Sequence, residues 1–149
     1  MRKSRDPVEL QIPSKLGFEK VAAGCAVSIA KDMKFFPSKI DDLKTAVTEA
    51  CLNAIEHGNK LNQNVNVVIT MTPSEEAMVV EVWDNGGERY DYASEPDIKQ
   101  KINGENRPRG WGLFLIQNLM DEVEIKYVPK KGNVIRMVMY LKPPPSDFQ

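Results

Sequence analysis

The stretch Thr45-Ala-Val-Thr-Glu-Ala-Cys-Leu-Asn-Ala-Ile-Glu-His-Gly-Asn59 sets Glu49, Asn53 and His57 four residues apart. At that spacing three polar side chains share one face of a helix. Ala46, Val47, Ala50, Leu52, Ala54 and Ile55 fill much of the remainder, so the polar stripe interrupts an otherwise apolar surface. A carboxylate one turn before an amide can accept a proton while the amide oxygen holds a hard metal ion. On these residues alone a plain solvated helix face stays open, because E-x-x-x-N also arises by composition.

Working outward, Ser38 with Asp41 three residues on reads as a short capping box that starts this helix, and Gly58-Asn59 reads as its left-handed C-terminal cap. Before it, Phe18, Val21, Ala22, Cys25, Ala26, Ile29, Ala30 and Met33 recur at three- and four-residue steps, predicting a helix from Leu16 to Met33 that Pro37 ends. Val8 to Ile12 alternates with period two and reads as an edge strand. Asn64 to Met71 and Ala77 to Trp83 read as a hairpin around Thr72-Pro-Ser-Glu-Glu76. Between Asp84 and Gly110 the chain is polar and without a sustained apolar period, although Pro96 to Ile102 can form a helical turn or two, so this segment reads as a functional loop or lid. Trp111 to Met120 reads as a short helix, and Val123 to Val128 with Val134 to Leu141 as a last strand pair turning at Pro129 to Asn133. The order β, α, α, β, β, lid, α, β, β predicts an α+β fold: a two-layer sandwich in which helices cover a mixed, mostly antiparallel sheet.

A chain of 149 residues is the usual size of one domain, and one is expected over residues 1–142, with the proline-rich 143–149 as a disordered tail. Twenty basic and 21 acidic residues give a net charge of −1. That balance lacks the basic footprint of a nucleic-acid binder, so direct nucleic-acid contact is not expected. No apolar run is long enough for a signal peptide or a membrane span. Cys25 and Cys51 lie in apolar helical patterns and read as reduced core residues, which points to a cytoplasmic protein.

Two further segments carry chemistry. Asp84-Asn-Gly-Gly87 follows a strand and offers a carboxylate beside backbone that a ligand can approach closely, although the same residues make an ordinary turn. In Arg107-Pro-Arg-Gly-Trp-Gly-Leu-Phe-Leu-Ile-Gln-Asn118, Gly110 and Gly112 precede an apolar helix whose first amides can receive an anion next to Arg107 and Arg109. Solvated arginines before a glycine-rich helix start are the alternative there.

Taken together, Glu49-x-x-x-Asn53-Ala-x-x-His-Gly, Asp84-x-Gly86 and Gly110-x-Gly112-Leu-x-Leu-Ile resemble the ATP-binding boxes of the GHKL ATPase and kinase superfamily. The wording Asn53-Ala-Ile-Glu-His-Gly-Asn59 and the run Gly112-Leu-Phe-Leu-Ile-Gln-Asn-Leu-Met-Asp-Glu-Val123 most resemble its anti-sigma-factor serine kinases, from the first strand to Leu141. No P-loop motif occurs. The resemblance implies that Asn53 ligates Mg²⁺ on the ATP phosphates, that Asp84 binds the adenine amino group, and that Gly86 lets the base approach. It implies that Gly110 and Gly112, with the amides after them at Leu113, cradle the phosphates under a lid. Glu49 becomes the general base for an incoming serine or threonine hydroxyl, and Arg107 or Arg109 contacts the γ-phosphate. In this chain Glu88 and Arg89 stand where the second box usually continues with glycine and Phe-Asp, and Gly132-Asn133 stands where the family often has Gly-Thr near the base.

The implied function is an ATP-dependent serine/threonine kinase acting as an anti-sigma factor, which binds a sigma factor and phosphorylates a STAS-type anti-anti-sigma protein, as a homodimer. A catalytically silent, ATP-gated binding module needs nearly the same residues and is the alternative. A histidine-kinase catalytic domain fits less well, because only 15 residues precede the first predicted helix. His57 reads as structural at its helix end, and Trp111 and Phe114 as lid-hinge and core packing.

Overall fold

The computed structural model describes residues 6–86 and 111–142. The elements are β1 (Val8–Pro13), α1 (Glu19–Asp32), α2 (Pro37–Asn53), a π-helical turn (Ala54–Gly58), β2 (Asn66–Pro73), β3 (Ala77–Trp83), α3 (Trp111–Leu119), β4 (Glu122–Val128) and β5 (Gly132–Tyr140). Arg107, Arg109, Gly110, the 96–102 turns, most of the expected lid and the 143–149 tail lie outside the described residues.

The five strands form one sheet in the order β1-β2-β3-β5-β4. Every pairing among the described residues is antiparallel, so the mixed sheet expected from sequence is corrected. The reason is where each helical connection returns the chain. The α1–α2 excursion brings β2 back beside β1 in the opposite sense, and β5 inserts between β3 and β4, so no two strands run side by side in the same direction.

Strand alternation sends Ile12, Val67, Ile69, Met71, Met78, Val80, Val82, Ile135, Met137 and Met139 into the core beneath the helices. Against them α2 buries Leu43, Ala46, Val47, Ala50 and Cys51. The other sheet face carries Glu81, Arg136 and Glu124 in neighbouring register positions and is polar enough to stand without helices.

Three local expectations change. α1 begins only at Glu19, whose carboxylate accepts the Gly17 N–H at 2.6 Å, and its core contact is the alanine stripe Ala22, Ala26 and Ala30. Phe18 and Val21 are therefore 36% and 52% exposed rather than buried. α2 is not capped by Ser38: Phe36 is the N-cap, in extended backbone with no side-chain cap bond, and Pro37 supplies the fixed φ of the first helical residue. Gly58-Asn59 is not the left-handed cap either, since the positive φ values fall at Lys60 (53°) and Leu61 (60°). The helix instead closes through a wide turn, with Asn59 N–H donating to Ala54 O at 2.7 Å and Leu61 N–H to Ile55 O at 2.8 Å.

Candidate functional site

The site is built along α2 and its π-helical end. Glu49 and Asn53 are half-buried on the helix side that meets α3. There Gly112 lies so close that a Cβ on it would stand 3.0 Å from Glu49 Oε2 and 3.2 Å from both Asn53 Nδ2 and Asn53 Oδ1. The approach is held by apolar packing: Leu113 and Ile116 are buried in the core beside α2, so α3 can bring only its glycine edge to the two polar side chains. The Leu113 side chain is committed to the core, at 5% exposure. Trp111 and Phe114 stack with ring centroids 5.7 Å apart and are 37% and 47% exposed, which corrects the core role expected for Phe114. The widened turn at Ala54–Gly58 interrupts the four-residue column above Asn53, and His57 sits within it, half-exposed, with Nε2 4.0 Å from Glu56 Oε2.

One turn further on, the same element reaches the end of β3. Asp84 is 1% exposed there, and two glycines from other elements press against it. A Cβ on Gly58 would fall 2.2 Å from Asp84 Oδ2, and one on Gly132 would fall 2.1 Å from Asp84 O. Gly132 also has φ +109°, which glycine alone adopts without strain. Gly86 passes so near the π-turn that its Cβ would meet Gly58 O at 2.1 Å. Glycine at 58 is therefore a matter of space for the carboxylate: the helical run does end there, as the sequence predicts, but without a left-handed cap.

Asparagines surround this segment. Asn133 N–H donates to Asp84 Oδ1 at 3.1 Å, and Asn133 Nδ2 donates to Oδ2 at 3.0 Å and Oδ1 at 3.3 Å. Asp84 N–H returns a bond to Asn133 O at 3.0 Å. The amide in place of the family's hydroxyl thus engages the carboxylate itself. On the other side Asn59, 3% exposed, accepts the Asn85 N–H on Oδ1 at 2.9 Å. Its Nδ2 donates to Ser14 Oγ at 2.9 Å and Asn66 O at 3.3 Å, while Ser14 Oγ donates to Val65 O. Sequence reading missed Asn59 and Ser14. The one signal available was a second asparagine directly after His-Gly, in a helix otherwise packed with small apolar residues.

The arrangement has two ends joined by one helix: a carboxylate–amide pair facing a helix N-terminus, and a buried carboxylate at a strand end. From Asn53 to Gly58 the chain rises about 7 Å along the axis. A ligand that is anionic at one end and carries a hydrogen-bond donor at the other suits that span. Among the described residues no three His, Cys, Asp or Glu side chains converge into a protein-only metal site. A cation at Asn53 would take the single amide oxygen and complete its shell from ligand oxygens and water, as Mg²⁺ does with phosphates. The residues therefore fit Mg-ATP.

Residues 13–139 match the family described as the histidine kinase-like ATPase domain. The serine-protein kinase RsbW of Bacillus subtilis (strain 168) is 31% identical over 150 residues, an alignment covering 95% of this chain and 89% of that protein. The serine-protein kinase RsbW of Staphylococcus aureus is 31% identical, with 95% and 91% covered, and that of Oceanobacillus iheyensis is 32% identical, with 91% and 87% covered. A crystal structure of the RsbU and RsbW domains of a Mycobacterium tuberculosis protein superimposes with a TM-score of 0.63 at 14% identity, over 91% of this chain and 32% of that longer one, and shows the shared fold. No helix among the described residues is long and apolar enough to cross a membrane. With the carboxylate–amide pair, the buried aspartate and Gly58, Gly86, Gly112 and Gly132 arranged as above, the chain belongs to the histidine kinase-like (GHKL) ATPase family, in its branch of anti-sigma-factor serine kinases.

Proposed function

We propose that this protein is an ATP-dependent serine/threonine kinase acting as a cytoplasmic anti-sigma factor, which binds a sigma factor and phosphorylates a STAS-type anti-anti-sigma protein, as a homodimer. The observation that carries this reading is the contact of Gly112 with both Glu49 and Asn53, which sets a candidate base and a candidate metal ligand against one helix N-terminus. The names of the relatives, serine-protein kinases over nearly the full chain, support the same chemistry.

In this reading Asp84 accepts the adenine amino group, and Gly86, whose missing side chain leaves room for Gly58 O, lets the backbone beside the base lie against the π-turn. Asn53 would hold Mg²⁺ and the amides of Gly112 and Leu113 would meet the phosphates, and the family resemblance assigns Arg107, Arg109 and Gly110, outside the described residues, to the same anion. Mg-ATP supplies the phosphoryl group and neutralises the charge that develops during transfer. Glu49 orients the acceptor hydroxyl and takes its proton, and the preorganised amides stabilise the negative charge. Enclosure between α2 and α3 keeps these groups from relaxing away.

Affinity capture from the protein's own cytosol, with Mg-ATP and with ADP, followed by mass spectrometry, tests the partner assignment. The expected result is a sigma factor together with a small partner that bears phosphoserine or phosphothreonine only when ATP was supplied. Nucleotide-dependent capture without phosphorylation makes the protein a gated binding module and removes Glu49 from any catalytic role.

A further inference from the structure

We propose that Asn59 and Asn133 are positioning residues for base recognition: together they fix the Asp84–Gly86 segment so that this chain distinguishes a 6-amino purine from a 6-oxo one. The inference rests on the nucleotide reading of the site and assigns work to two residues that this reading does not use.

The two asparagines come from different parts of the chain and grip one peptide segment from both sides. Asn133, at the start of β5, places two donors on the Asp84 carboxylate, at 3.1 Å from its backbone and 3.0 Å from its side chain. Asn59, at the end of the π-turn, accepts the N–H of Asn85, the peptide immediately after Asp84, at 2.9 Å. Asn59 is itself held by Ser14 Oγ and Asn66 O, so its amide cannot turn without breaking bonds to the residue after β1 and to β2. Both side chains are buried, at 3% and 2% exposure, where apolar residues would cost nothing in desolvation. Buried polar networks that are fully bonded specify geometry rather than add much net stability.

Geometry is what purine selection needs. An adenine presents a donor at its exocyclic nitrogen, whereas a 6-oxo purine presents an acceptor at the same place. A carboxylate oxygen held at one point attracts the first and repels the second. Sites built to bond a particular N–H reject analogues lacking it far more strongly than shape alone allows. If Asp84 could swing or its backbone could shift, it would adapt to either base. Asn133 removes the first freedom and Asn59 the second.

The test measures dissociation constants of ATP and inosine triphosphate, each with Mg²⁺, for the full chain and for Asn59→Ala, Asn133→Ala and Asn133→Thr, with thermal melts in parallel. The expected result is a wild-type preference for ATP that falls about tenfold or more in both alanine variants, because ATP weakens while inosine triphosphate hardly changes. Asn133→Thr, whose hydroxyl restores a donor to Asp84, recovers most of the preference. A parallel weakening of both nucleotides, or an unchanged ratio, overturns the proposal and leaves the two asparagines as structural residues. A wild-type protein that binds both equally overturns the proposal, whereas one that binds neither overturns the nucleotide reading itself. If an alanine variant loses its cooperative melt, Asn59→Ser and Asn133→Thr decide: the serine is too short to reach Asn85 N–H and must lower the ratio, and the threonine must keep it. Equal ratios in those two variants also overturn the proposal.

Discussion

Replacing Gly112 by alanine separates stability from catalysis. The new methyl would stand 3.0 Å from Glu49 Oε2 and 3.2 Å from the Asn53 amide atoms, tighter than ordinary contact by a few tenths of an ångström. Both neighbours are ends of side chains and can yield by that amount, so the fold tolerates the change. Alanine is also the better helix residue, by up to about 1 kcal/mol in a helix interior. Gly112 is only the second residue of α3, so no more than part of that gain applies, and the melting temperature is expected to be unchanged or raised by up to roughly 2 °C. The same displacement moves the candidate base and the candidate metal ligand together. Misplacement by about 1 Å can cost about a hundredfold in rate, so a few tenths at two groups predicts a loss of about tenfold or more in kcat. Thermal melting and transfer from radiolabelled ATP to the acceptor protein, run on the same preparation, read the two effects separately. A Gly112→Ala protein with unchanged kcat and an unchanged or raised melting temperature would refute the placement of the first turn of α3 against the working atoms.

The other glycines predict opposite signs. Gly58→Ala puts a methyl 2.2 Å from an Asp84 carboxylate that Asn133 holds in place, and is expected to destabilise by about 2 kcal/mol or more and to abolish ATP binding. Gly24→Ala meets nothing within 4 Å and is expected to stabilise α1 by about 1 kcal/mol; urea titration of the two variants checks both signs. Burial, reinforced by the nearby Glu19 charge, pushes the Cys51 thiol from 9.0 up to about 12. The folded chain therefore keeps its proton over a range where the unfolded chain loses it, and this contribution is intact below pH 9 and lost as pH rises towards 12. Relative to Cys51→Ala, wild-type stability is expected to fall by about 1.4 kcal/mol per pH unit across that window, and parallel urea-derived curves for the two proteins would contradict it.

Much of this arrangement is legible in the sequence because it rests on period and spacing. β3 reads as Ala77 to Trp83 from composition and turn chemistry and forms over those residues. Glu49 and Asn53 read as neighbours and are neighbours, since a regular α2 carries them one turn apart. What stayed hidden depends on contacts across the chain. Phe18 and Val21 fit the apolar period of α1, but the alanines already fill its buried stripe, and periodicity cannot say which of two adjacent stripes faces inward. The π-turn has no local signature, and Gly58 looked like a cap because its true constraint, Asp84, lies 26 residues away. The roles of Asn59 and Asn133 depend on partners just after β1, in β2 and just after β3, which no local pattern reveals.

The most direct test of the central claim is Glu49→Gln, which keeps the size of the side chain and removes its capacity to take a proton. Phosphotransfer to a serine or threonine of the anti-anti-sigma partner is measured for wild type and variant, with ATP affinity determined alongside. The account predicts ATP binding within about a few-fold of wild type and transfer reduced by about a hundredfold or more. Transfer at the wild-type rate would contradict it, and Glu49 would then be a helix residue beside the nucleotide rather than the base.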